Sequence, residues 1–209
     1  MATTDLLTLD EGKRACRIST GDSSENEDLE VYITAASELL DDHVGPTVAR
    51  AVTNERHDGL NRAQTGYRSA IILRWRPVLS FGSVTVDGVA LTQTTDYHAD
   101  PYPLDETLFS GVLRRRWGNL AGSWDYGTAN IVCTYTAGRV ASTTSVPARF
   151  KRACGIVLEN LWRDREAGVE ELGEFTVPRQ SFPTFAMPRA AAQLLTREMG
   201  HAGTYGIGG

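Results

Sequence analysis

An α+β fold is predicted for this chain of 209 residues, on three observations. Apolar residues recur at spacings of three and four in two well-separated segments, Asp28 to Val44 and Pro147 to Asp164, which reads as two amphipathic helices. Between them the period shortens to that of β-strands, with turn residues at close intervals. Past Gly168 the chain is polar and punctuated by Pro178, Pro183 and Pro188. The expected organisation is a helical core of two packed long helices plus short helices, an inserted antiparallel β lobe and an extended C-terminal arm. Residues 1–46 form the N-terminal helical part, 47–146 the lobe, 147–167 the helix that completes the core, and 168–209 the arm.

Each element has a local reason. Thr8 followed by Glu11 has the spacing of a capping box, so a short helix should run from Leu9 to Cys16. Ser24 with Glu27 repeats that spacing and should open the longer helix, in which Leu29, Ile33, Ala36, Leu40 and Val44 form the stripe. Gly45 and Pro46 end it, one as a cap and the other by blocking continuation. In the lobe, 70–73, 83–86 and 130–135 are rich in β-formers, and Asp87-Gly88 is a two-residue hairpin signal. Pro77 should stand at a strand end because it cannot donate to a ladder. Val146-Pro147 restarts a helix striped by Phe150, Cys154, Val157, Leu158, Leu161 and Trp162. Leu29, Ile33, Leu40, Val157, Leu161 and Trp162 are the expected contact between the two long helices. A short helix through Ala190, Leu194 and Leu195 follows, then a tail with five glycines between 200 and 209, expected to be flexible.

Composition narrows the function. No apolar run reaches the length of a membrane span, and the first residues lack the basic-then-apolar pattern of an export signal. Cys16, Cys133 and Cys154 lie far apart with no CxxC pair, so they read as reduced, buried small hydrophobes rather than zinc ligands. Net charge is −5, and residues 1–45 carry 11 acids against 3 bases, so the front is acidic and the remainder basic. That balance argues against tight binding of DNA phosphates, which needs clustered positive charge.

Catalytic spacings are absent from the sequence: there is no GxSxG, HExxH, GxxxxGK[ST] or strand-to-helix GxGxxG motif. No catalytic residue, cofactor or metal is therefore assigned. Asp96, His98 and Asp100 could share one strand face as a metal site would require, but a histidine among acids is more often a solvated strand. Glu170, Glu171 and Glu174 have no partner histidine and read as surface. Arg114, Arg115 and Arg116 before Trp117, together with Arg74-Trp75-Arg76, mix cations with aromatics as nucleic-acid surfaces do. Solvent exposure, or pairing with the acidic segment of a neighbouring subunit, is the favoured reading. Leu194, Leu195 and Met199, just after Pro188, share one side of a short helix, an anchor pattern for a partner's groove; packing back on the chain's own domain is the other reading.

The order of segments TLDEGKRACRI, an acidic loop, EDLEVYITAASELLDDHVG, RPVLSFGSVTVDG, VCTYTAGR and VPARFKRACGIVLENLW resembles the head-tail connector (adaptor) family of long-tailed bacteriophages. The likeness spans Leu6 to Trp162, and Phe185 to Ala191 is similar to the family's closing helix. The resemblance implies a structural subunit of the virion neck, assembled in the host cytoplasm and without enzymatic activity. It implies a homo-oligomeric ring, expected to be a dodecamer, docked on the portal and followed by a stopper or tail-completion protein, with DNA passing through the lumen. Arg114, Arg115, Arg116, Pro188, Leu194, Leu195 and Met199 are the candidate partner-interface residues. The arm from Gly168 onward is then expected to order only on assembly, so that the chain folds without everything after Phe185. The alternative is a DNA-binding or packaging accessory protein using Arg74, Arg76 and Arg114 to Arg116.

Overall fold

The computed structural model describes residues 2–60, 70–167 and 187–202. The chain divides into two compact units, Met1–Val48 with Ser142–Gly209, and Ala49–Ala141. The described residues form four helices and an antiparallel sheet, so the fold is α+β. None of the described helices is long and apolar enough to cross a membrane.

The first unit is helical. Helix α1, Leu9–Ala15, opens on the capping box that its sequence announces. The Glu11 N–H donates to Thr8 Oγ1 at 3.3 Å, and the Thr8 N–H donates to Glu11 Oε2 at 3.0 Å. Burial works against the charged form of Glu11. Hydrogen bonds from Lys151 Nζ, at 2.7 Å, and from the Thr8 N–H outweigh it and hold the carboxyl below its usual range. Thr8→Ala should cost about 1 kcal/mol in chemical denaturation, the typical worth of such a cap. An unchanged midpoint would show that α1 is held by packing alone.

Helix α2, Asn26–Val44, buries Leu29, Ile33, Ala36, Leu40 and Val44 on one face. Its N-terminus departs from the expected Ser24–Glu27 box. The Ser24 N–H and hydroxyl both bond Asp22 Oδ1, at 2.9 and 2.7 Å, and the helix starts without a side-chain cap. A nearby carboxylate has captured the serine in a local turn, the competition that short polar side chains set up near helix ends. Gly45 ends the helix at φ 78°, a left-handed conformation that glycine adopts without strain. Asp41, buried, fixes the exit by accepting the Thr47 N–H at 3.0 Å.

Helix α3, Ala148–Ala167, packs on α2 with Phe150, Ala153, Cys154, Val157, Leu158 and Trp162 inside. Trp162 meets Tyr32 edge-on, with ring centroids 5.5 Å apart. Leu158 is fully buried, whereas Leu161, expected in this contact, is only half-buried. At about 100° per residue Leu161 falls within about 20° of Cys154, on the same stripe, so the period alone does not distinguish it from its buried neighbours. Helix α4, Arg189–Ala202, lies against α2 and α3 with Ala191, Leu195 and Glu198 buried. Arg149 Nη2 donates to Glu198 Oε1 at 2.5 Å. The sequence predicts a chain that folds without everything after Phe185; in the structure such a truncation would remove α4 and with it the buried Leu195. The rest of the arm, 168–186 and 203–209, with Glu170, Glu171 and Glu174, lies outside the described residues.

The second unit is β. Its strands are β1 Arg50–His57, β2 Ala70–Ile72, β3 Val78–Val86, β4 Val89–Ala90, β5 Tyr97–Tyr102, β6 Asp105–Trp117, β7 Leu120–Ala121 and β8 Ile131–Ala137. They pair in the order β1-β8-β3-β6-β2, with β4 on β3 and both β5 and β7 on β6. Strand β8 alternates strictly, sending Ile131, Cys133, Tyr135 and Ala137 into the core. Asp87 and Gly88 join β3 to β4 with φ of 49° and 81°, the positive angles of a hairpin turn that matches strand twist. Pro101 sits inside β5, where the register with β6 slips, a place where a missing N–H costs little.

Candidate functional site

The longest strand, β6, carries the three candidate arginines at its end. Arg114 lies opposite His98 on β5, and its Nε donates to both oxygens of Asp100 at 3.1 and 2.8 Å. The Asp96-His98-Asp100 face is thus engaged by an arginine, and no cluster of three metal-ligating side chains exists among the described residues. Arg115 folds under its own strand end. Its Nη1 donates to the Asp96 carbonyl at 2.6 Å, and its guanidinium lies 5.5 Å from the Trp117 ring and 6.0 Å from that of Trp124. Arg116 pairs with Ala121 on β7, and Trp117 with Leu120.

The result is a hairpin tip, closed by Gly118 at φ 61°, with two large apolar side chains turned to solvent. Trp117 is 61% exposed and Leu120 73%. Trp117 is nonetheless held. Its indole lies so close to Gly122 that a Cβ there would fall 2.0 Å from Trp117 Cδ1, and Arg115 stacks on the same ring. The sequence reading named the arginines of this tip and passed over Leu120, whose only signal was an apolar residue two places beyond a glycine.

Arg74 and Arg76 are placed differently from a phosphate-binding pair. Arg74 lies 5.7 Å from the centroid of the Trp75 ring, and Arg50 lies 5.1 Å from it. The stem of Arg76 covers Gly111, where an added Cβ would meet Arg76 Cγ at 2.5 Å. The remaining candidates sit on or beside α4. Leu195 faces the helical core and is fully buried, Leu194 is 41% exposed, and Met199 and Pro188 are half-buried. Leu194 is thus the α4 candidate turned most toward solvent, while Leu195 packs on its own unit.

One polar network escaped the sequence reading. Glu55 Oε2 accepts the Tyr135 hydroxyl at 2.5 Å, and Glu55 Oε1 meets the Arg74 N–H at 2.8 Å and His57 Nε2 at 2.7 Å. Burial and the Glu55 carboxylate together push the Tyr135 phenol well above its ordinary value. These bonds tie β1, β8 and the segment before β3 together, and the hydroxyl also accepts the Trp75 N–H at 3.1 Å. The buried thiols are inert for the same reason: burial pushes Cys133 and Cys154 up to about 12, so both stay protonated at neutral pH. Among the described residues, Glu55, Tyr135, Cys133 and Cys154 are engaged in packing, and the exposed features include the arginine-backed tip and the acidic face of α2.

No protein-family model and no curated protein matches the sequence. Solved structures do. A chain titled as the neck of an empty gene transfer agent particle computed with C6 symmetry superposes with a TM-score of 0.57, covering 95% of this chain and 92% of that one, at 16% identity. The fold is that of a gene transfer agent neck chain. A chain from the virion of the native gene transfer agent particle agrees, with a TM-score of 0.52 over 92% of this chain and 88% of that one, again at 16% identity. At such identity the likeness lies in the backbone, and it runs through both units.

Proposed function

We propose that this chain is a structural subunit of the neck of a phage-like particle, a head-tail connector that forms a ring between the portal and the stopper or tail. The observation that carries the proposal is the shared fold with a neck chain over 95% of this sequence. In this reading twelve copies close a ring through head-to-tail contacts, since a heterologous interface whose rotation closes gives a ring. DNA passes through the lumen without sequence-specific binding, and the chain works by shape and subunit contacts with no chemical step. A protein with 26 acidic against 21 basic residues suits a channel along which DNA slides without sticking. The DNA-binding accessory reading draws less support. Arg114 is tied to Asp100 and Arg115 to its own strand end, so two of the tip's three charges are already engaged.

The test is genetic. In a producing strain with this gene deleted, electron microscopy should show DNA-filled or leaking heads separated from free tails. Normal infectious particles, or normal necks with a defect confined to DNA replication or lysis, would overturn the reading.

A further inference from the structure

We infer that the β6–β7 hairpin tip is a docking knob for a second copy of this chain, seated on the exposed acidic face of that copy's α2. The inference deepens the ring reading above and rests on it. Trp117 and Leu120 are directly paired across the hairpin, so their side chains leave the same face about 5 Å apart. An exposed tryptophan that already rests against Gly122 and Arg115 has fewer rotamers open to it than one free in solvent, which suits an interface anchor. The segment 114–121 holds three arginines and no acid.

Helix α2 offers the complement. Glu27, Asp28, Val31, Ala35, Glu38 and Asp42 are its exposed residues and fall on one stripe, opposite the buried face. Val31, 68% exposed, and Ala35 form an apolar centre flanked by carboxylates on both sides. One helical turn separates them, roughly 6 Å, which matches the spacing of the Trp117–Leu120 pair. The small Ala35 leaves room for the indole. Asp28 is paired with Arg165 at 2.9 Å and Arg114 with Asp100, so the charges that meet across the contact are Glu27, Glu38 and Asp42 of the stripe with Arg116 of the tip. A duplex DNA would take the arginines but give Leu120 no apolar partner. Because tip and stripe are different surfaces, each copy can offer one and receive the other, the heterologous arrangement a ring requires.

The experiment uses the full chain in two variants, each altered at exposed positions so that folding is spared, with circular dichroism as the check. One is tip-dead, Trp117→Ser with Leu120→Ser. The other is stripe-dead, Val31→Arg with Ala35→Arg. Self-association is followed by sedimentation velocity over a range of concentrations. Each variant alone should associate on the order of 30-fold more weakly than wild type, the loss expected from truncating a central aromatic anchor. An equimolar mixture should give a 1:1 dimer and stop there, since one intact tip and one intact stripe remain. A tip-dead variant that associates like wild type overturns the inference. So does a mixture that gives no dimer, or a wild type that stays monomeric at its highest soluble concentration. A tip-dead variant that associates normally but loses salt-dependent binding to a duplex DNA probe reassigns the tip to nucleic acid. In all of these the ring reading is judged separately, by whether particles of the tip-dead strain still show a ring-shaped neck.

Discussion

Leu195→Ala should destabilise the helical unit by about 2 to 5 kcal/mol, whereas Leu194→Ala should change its stability by less than about 0.5 kcal/mol. Leu195 is completely enclosed where α4 lies on α2 and α3, so truncation leaves a cavity that three helices must collapse to fill. Its neighbour Leu194 is 41% exposed. The buried partners Ala191 and Glu198, one turn before and after, show that α4 presents this face inward along its described length. Thermal or denaturant unfolding of both variants reads the difference, with wild type as reference. Equal and small losses for the two leucines would mean that α4 does not belong to the core and would return it to the role of a free docking arm.

Trp124→Ala should cost about 3 to 5 kcal/mol in the transition that carries the β unit. Trp124 is the largest of the fully buried side chains and sits in the cluster with Ile71, Leu73, Val84, Leu113, Ile131 and Tyr135. It also underlies Arg115, whose guanidinium lies 6.0 Å from its ring. Losing it should therefore loosen the base of the β6–β7 tip as well as the core. Because the chain has two units, unfolding should be followed by probes that separate them, for example near-ultraviolet signals of the β unit against helical ellipticity. A loss under about 1 kcal/mol would show that the loop bearing Trp124 is not part of this core.

Much of the helical unit was legible in the residue order. Ile33, Leu40, Cys154, Val157 and Trp162 are inside because a helix has one face to bury, and a 3.6-residue period announces that face without knowledge of its partner. The capping box at Thr8 and the Asp87-Gly88 turn were equally local, each needing only backbone groups within a few residues. Ser24 shows where local reasoning fails even at short range, since its hydroxyl donates to the Asp22 carboxylate and does not accept from the N–H groups at the helix N-terminus.

The candidate site was legible only in outline. Three consecutive arginines before a tryptophan marked the place, but their fates diverge through partners distant in sequence: Asp100 for one, the Asp96 carbonyl and Trp124 for the next. Periodicity could put Leu194, Leu195 and Met199 on one side of a helix and could not say which of them the core would claim. Trp124, in a turn-rich stretch with no strand pattern, carried no signal of burial, and Glu55 with Tyr135, 80 residues apart, none of pairing. The residue order determined which segments are helix or strand and which face of each is apolar, since both follow from backbone geometry and from the exclusion of apolar surface from water. Only the tertiary structure decided which loop residues fill the core, which charges are neutralised and which aromatic is left in solvent, because those outcomes depend on atoms that meet only after the chain has folded.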